Sequence, residues 1–134
     1  MSRYIAVIEY DEAEQVYGAY FPDAPGCTAM GGSEEEVVDN AIDALSEWMS
    51  DLIADGNAIP TPRSYMQIRA DGELGKDIMI ATLPLLRETG KVVRANISMD
   101  AGLLETIDEA AGRIGVTRSA FLASAAREKI KQSG

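Results

Sequence analysis

Histidine is absent from the 134 residues, and its absence removes whole classes of chemistry. No Ser-His-Asp or Cys-His nucleophile can be built, no imidazole can hold zinc, and no histidine can titrate as a switch near neutral pH. The single cysteine, Cys27, permits no internal disulfide and suits a reducing compartment. Long apolar runs are missing too. Nothing approaches the roughly 18 residues of a membrane span, and the run Ile5 to Ile8, closed by Glu9, is too short for the core of a signal peptide. A cytoplasmic protein with no membrane contact is the expectation, which makes Asn96-Ile97-Ser98 a chance match to the glycosylation pattern. A phosphate-cradling glycine loop is also lacking, because Gly31-Gly32 is followed by acids rather than by Lys-Ser/Thr. No metal or other cofactor is expected.

Basic residues are the remaining shortage. Twelve Lys and Arg face 22 Asp and Glu, a formal charge of -10, and the deficit is unevenly placed. Residues 1–90 carry five bases and seventeen acids, net -12; residues 91–134 carry seven bases and five acids, net +2. Each half is therefore to be read alone. The acidic half would repel DNA or attract a basic partner, and the other half is free to do something else. The apolar stretch ending Leu83-Pro84-Leu85-Leu86-Arg87-Glu88-Thr89-Gly90 places the boundary at 87–91, giving domains of 1–88 and 91–134.

Apolar residues make up 46% of the chain, enough for a packed core. In the first domain, Arg3–Tyr10 and Val16–Phe21 are β-branched and aromatic and read as two strands of a hairpin. Pro22-Asp23-Ala24-Pro25-Gly26 reads as a turn, and Cys27–Met30 as a short third strand. Ser33-Glu34-Glu35-Glu36 has the spacing of a capping box, with three acids at the positive end of a helix dipole. Behind it Val38, Ala41, Ile42, Leu45, Trp48, Met49, Leu52 and Ile53 recur at helical steps, so an amphipathic helix of about two dozen residues should end at Asp55-Gly56. Ile59-Pro60-Thr61-Pro62 is a stiff connector, Met66–Ala70 a short strand, and Asp77–Leu83 a further strand. The fold class is α+β.

In the second domain, Lys91–Ser98 alternates: Val93, Ala95 and Ile97 point one way, Arg94, Asn96 and Ser98 the other. Asp100 caps a helix over 101–114 stopped by Gly115, and Thr117 caps another from Arg118 to about Lys131. A strand–helix–helix unit of about 44 residues is too small to bury a core alone. A symmetric dimer would pair the strands antiparallel and join four helices. The polar face Arg94, Asn96, Ser98 would then be doubled on a ribbon that fits a major groove, with side chains suited to guanine and adenine edges. Lys91, Arg118 and Ser119 fall where phosphates would lie, the last two at a helix N-terminus. Polar-out strands are common, so alternation alone leaves a plain interface strand equally open.

The stretch from Arg94 to Ile130, with Leu103-Leu104-Glu105-Thr106-Ile107-Asp108, Gly115 and Thr117-Arg118-Ser119-Ala120-Phe121-Leu122, resembles the ribbon-helix-helix (Arc/MetJ-type) family. Ser98 departs from it, standing where many relatives have a longer basic or amide side chain. Tyr17-Gly18-Ala19-Tyr20-Phe21-Pro22-Asp23-Ala24-Pro25-Gly26-Cys27-Thr28, followed by Gly31 and the acidic cap, is similar to the HicB antitoxin domain. That resemblance implies a partial RNase H-like β-β-β-α-β domain without catalysis, followed by the β-α-α dimerisation domain. It also implies a HicA-like mRNA interferase toxin as partner, small, basic and carrying a catalytic histidine, and operator DNA as a second partner. Tyr17, Asp23, Pro25 and Gly26 are the toxin-binding candidates that it supplies. The homodimer forms through 91–134, and tetramers through the N-terminal domains are the further arrangement.

Structural roles compete at each position. Asp23 between prolines suits a turn capping its own backbone, Cys27 a small buried hydrophobe, Trp48 the core, and Glu34–Glu36, Asp39, Asp43 and Glu47 a solvated helix face. Two other readings stand beside the antitoxin: a solitary HicB-like transcriptional regulator without a toxin, and a metal-dependent nuclease started by Glu9 and Asp11.

Overall fold

A computed structural model describes residues 2–132; Met1 and residues 133–134, the outer ends of the two expected domains, lie outside the described residues. The chain divides into two compact units, one running to Thr89 and one beginning at Gly90.

The first unit is built on an antiparallel sheet of order β3-β2-β1-β4, with β1 Arg3–Asp11, β2 Val16–Phe21, β3 Ala24–Gly31 and β4 Met79–Pro84. The expected Pro22–Gly26 turn is corrected. Only Pro22-Asp23 turns, and β3 starts at Ala24. Tyr20 pairs with Thr28 but Phe21 pairs with Ala24, so Pro25-Gly26-Cys27 bulges out of the ladder. A bulge on an edge strand is where a proline lacking an N–H is tolerated, and Gly26 there takes φ +88°, a backbone state costly for any residue with a Cβ.

Alternation sorts the sheet into two faces. On the first, Tyr4, Ala6, Ile8, Ala19, Phe21, Ala24, Cys27 and Leu83 are buried beneath helix α1, Glu34–Ala54. The helix contributes Val37, Ala41, Ile42, Leu45 and Met49 to this core. Val37, Ile42, Leu45 and Met49 each add about 1.5–3 kcal/mol by leaving water. Val37, absent from the predicted apolar stripe, is fully buried, whereas Ile53 is 40% exposed. Trp48 is half-buried against the core. Only half of the expected capping box forms: Ser33 Oγ accepts from Glu36 N–H at 3.0 Å, without the return bond from the Glu36 carboxylate.

A complete box closes one element later. The expected strand at Met66–Ala70 is instead helix α2, Tyr65–Ala70. Ser64 Oγ accepts from Gln67 N–H at 3.2 Å, and Gln67 Oε1 accepts from Ser64 N–H at 2.8 Å. These side-chain bonds satisfy N-terminal donors that a strand would have needed a neighbour to satisfy. On the sheet's second face Ile5 and Val7 are buried, and Ile68 is the buried residue of α2. Ile59 still packs against the α1 core, but Glu73, just after α2, lies close enough to act on the phenol of Tyr20, a second-face residue.

The second unit holds helices α3, Ala101–Arg113, and α4, Arg118–Gln132. Asp100 caps α3 by accepting from Leu103 N–H at 3.0 Å, and Thr117 Oγ1 accepts from Ala120 N–H at 3.1 Å. The expected strand 91–98 is not formed in the single chain: every residue from Lys91 to Ser98 is exposed and none belongs to a ladder. A strand exists only with a hydrogen-bonded neighbour, and this unit has no second strand to offer. Ile107 and Ala111 are buried on α3, and none of α4 is.

Candidate functional site

Between α1 and α2 the chain passes round the end of the sheet where β1 begins and the β2–β3 turn lies. Two side chains hold it there. Tyr4 Oη donates to the Pro60 carbonyl at 2.5 Å. Asp23 accepts from the Arg63 backbone N–H at 2.8 Å and from Arg63 Nε at 2.6 Å. The same guanidinium continues past α2, giving Nη1 to Asp71 Oδ2 at 2.8 Å and Nη2 to Glu73 Oε2 at 2.8 Å. One planar cation thereby joins the β2–β3 turn to the stretch that follows α2, a task for which the rigid fork of arginine suits better than lysine. Three carboxylates hold the Arg63 proton more tightly than usual.

This arrangement corrects the expectation for Asp23. Its carboxylate is 6% exposed and committed to Arg63, not to its own turn. Sequence reading missed Arg63, although one signal was available: it is the first basic residue after Arg3. Of the other toxin-binding candidates, Pro25 and Gly26 are exposed on the bulge, and Tyr17 is half-buried with its ring 4.8 Å from that of Tyr10. Tyr17 pairs with Gly31 at one end of the β2–β3 ladder and the bulge lies at the other, about 13 Å away along β2 at the strand rise. Tyr17 therefore stands apart from Asp23, Pro25 and Gly26.

Cys27 is buried, and burial, helped by the nearby Glu47 charge, pushes its thiol up to about 11; it packs as a small hydrophobe and is a poor nucleophile. Glu34, Glu35, Glu36, Asp39, Asp43 and Glu47 lie exposed along α1, on a helix without a single Lys or Arg. Among the described residues no three His, Cys, Asp or Glu side chains come together to hold a metal ion, and no helix is long and apolar enough to cross a membrane.

Of the DNA-facing candidates, Lys91, Arg94, Asn96 and Ser98 lie on the exposed 91–98 stretch. Ser98 and Arg118 are brought together; with Ile97, Met99, Leu104 and Leu122 they line a cleft of about 330 Å³. Arg118 is engaged in a way the sequence reading did not foresee. Its Nε and Nη2 donate to the two oxygens of Asp108 at 2.8 and 2.7 Å, which lowers the Asp108 carboxyl below its ordinary range. Ser119 is exposed beside it in the first turn of α4.

Comparison with known proteins gives these residues a family context. The profile of the family described as "HicB_like antitoxin of bacterial toxin-antitoxin system" matches residues 4–126. An uncharacterized 14.9 kDa protein from the rep-hol intergenic region of Haemophilus phage HP1 (strain HP1c1) is 30% identical over 95 residues, 69% of this chain and 71% of its own. The crystal structure of the Burkholderia pseudomallei antitoxin HicB is similar with a TM-score of 0.58 and 26% identity, over 97% of this chain and 99% of that one. A chain in the structure of a HicA3 and HicB3 toxin-antitoxin complex shares the fold, with a TM-score of 0.50 and 23% identity over 61% of this chain and 95% of that one.

Proposed function

The chain belongs to the HicB-like antitoxins of bacterial toxin–antitoxin systems, and we propose that its two units divide the task between protein and DNA. The acidic first unit binds and silences a small, basic mRNA interferase of the HicA kind. The second unit, paired with a copy of itself, binds operator DNA and represses the operon. The observation that carries this reading is the partition of charge: net -12 over residues 1–90 and net +2 over 91–134, changing sign where the chain divides into its two units. An acidic surface draws a basic ribonuclease and repels nucleic acid, so DNA contact falls to the other unit. A HicB3 chain of like fold is known in complex with its HicA3 toxin.

Dimerisation is supported by what the second unit leaves in water. Val92, Val93 and Ile97 are 94%, 74% and 64% exposed, on a stretch that alternates like a strand and has no neighbour. A second copy supplies that neighbour antiparallel, and the doubled ribbon presents Arg94, Asn96 and Ser98 for base contacts, with Lys91, Arg118 and Ser119 near phosphates. Of the toxin-binding candidates, Pro25 and Gly26 are accessible for direct contact, while Asp23 acts through the fold it holds. The test is a pair of binding assays on Arg94→Ala in the full chain. Operator binding is lost and inhibition of the toxin's ribonuclease activity is kept; loss of both together sinks the two-module account. Recovery of promoter DNA without any basic partner from the native cells supports a solitary regulator instead.

A further inference from the structure

The second face of the sheet is covered over only part of its area. Alternation and register set cross-strand rows on it: Val7–Tyr20–Thr28, and next to it Glu9–Gly18–Met30. The first row is anchored by Val7, which is fully buried beside Ile5. The second row is bare: Glu9 is exposed and Met30 is 63% exposed. Between them lies Gly18, and among the described residues no atom beyond Gly18 and its two chain neighbours comes within 4 Å of the place its Cβ would occupy.

Nothing within the chain calls for glycine at this position. Its φ is not in the left-handed region that reserves Gly26 for glycine, and no backbone crosses above it. Glycine inside a strand weakens the strand, and where neither cause applies it marks close approach by another group. The surroundings describe that group. Glu9 borders the notch, Asp11 follows on the same face of β1, and Glu73 lies near enough, with Glu9, to help burial raise the Tyr20 phenol. No Lys or Arg occurs between Arg3 and Arg63. A second copy of this unit would bring the same acids against them. The rim is apolar and adaptable, because an exposed methionine moulds to what it meets.

We infer that this bare half-face is the docking surface for the basic toxin, which seats an apolar side chain in the notch over Gly18 and sets Lys or Arg against the surrounding acids. The inference rests on the antitoxin reading and adds the surface to it. It is tested by titrating the full chain, wild type and Gly18→Val, with the purified HicA-like toxin that co-purifies with it. Valine favours a strand and has open space here, so the variant melts at or above the wild-type temperature and binds operator DNA unchanged. Toxin affinity falls about tenfold to a hundredfold, the usual cost of overpacking a fitted contact. Met30→Lys at the rim weakens toxin binding in the same assay and supplies the readout if Gly18→Val does not fold. Toxin bound by both variants as tightly as by wild type overturns the docking surface and leaves the antitoxin reading standing. A wild-type chain that binds no basic toxin overturns both.

Discussion

Replacing Gly31 by alanine would place a methyl carbon 2.5 Å from the amide nitrogen of Val37 and 2.9 Å from the carbonyl carbon of Glu36. Both are backbone atoms of the first turn of α1, so no rotamer change relieves the clash; the helix start must lift from β3. Val37 is fully buried at that point, and lifting it also opens the core. The cost should lie at the upper end of overpacking, about 3 kcal/mol, which for a domain of this size lowers the melting midpoint by roughly 12–24 °C. The same substitution at two neighbours in the fold calibrates the result. At Gly32 the added carbon meets only Glu36 Oε2 at 3.7 Å, an ordinary contact, so the midpoint should move by no more than a few degrees. At Gly18 it meets nothing, and alanine should gain about 0.5–1 kcal/mol. Trp48, the only tryptophan, lies on α1 against the core, so its fluorescence follows the first unit alone during thermal or urea unfolding. A Gly31→Ala variant that melts with Gly32→Ala refutes the close docking of α1 on β3.

Three further expectations follow from the same contacts. Ile68 is the one buried residue of α2, and Ile68→Ala should cost about 2–4 kcal/mol in urea unfolding, whereas Met66→Ala on the same short helix, 64% exposed, should be near neutral. The Cys27 thiol is raised from 9.0 to about 11, so the folded state favours the protonated form. The stability this contributes is intact below pH 9 and is lost as pH rises toward 11. Cys27→Ala should flatten that part of the Trp48-monitored profile, and native protein should resist iodoacetamide at pH 8 until it is unfolded. Asp108 titrates below its ordinary 3.8 because Arg118 donates to it; Arg118→Ala should return its NMR titration midpoint to the ordinary value, and an unchanged midpoint would show the pair does not persist in solution.

The strands and helices that were legible carry their signals locally. β2 keeps its expected bounds because Val16–Phe21 is dense in aromatic and apolar residues, and α1 is marked by Ser33 and by a repeat of buried side chains at three- and four-residue steps. The misreadings have a common cause. Met66–Ala70 has apolar residues that suit a strand, but Ser64 and Gln67 three residues apart close a capping box that decides for helix. The run 22–26 looks like one turn because proline and glycine also serve edge bulges, and only the register, Phe21 with Ala24 and Tyr20 with Thr28, separates the two uses. Arg63 and Asp23 are forty residues apart in sequence, and no local pattern announces a contact at that separation. The toxin-binding candidates Tyr17, Asp23, Pro25 and Gly26 share one short stretch of sequence, whereas a strand carries neighbouring residues to opposite faces and spreads them along its length.

Local rules are broken at three places, and all three are on the surface. Gly18 interrupts a strand without a conformational reason. Val92 and Val93 stand almost entirely in water. Along α1, Glu47 and Asp51 stand four residues apart on a helix that carries no base, an arrangement that costs an isolated helix about 0.2–0.5 kcal/mol. None of these features helps the single chain to fold. Sequences tend to tolerate such costs where function compensates for them, and each here has a chemically matched complement: an apolar knob for the glycine notch, a second strand for the valines, a basic protein for the acids. The valines are matched by a copy of the same chain, but the acids are not, because a copy brings the same charge. The proposed function assigns these surfaces to two kinds of partner, one identical and one basic. Mixing the isolated chain with itself at rising concentration should bury Val92 and Val93 from hydrogen exchange in their backbone amides while leaving the amides of β2 and β3 around Gly18 unchanged, and protection at both places by self-association alone would refute the division.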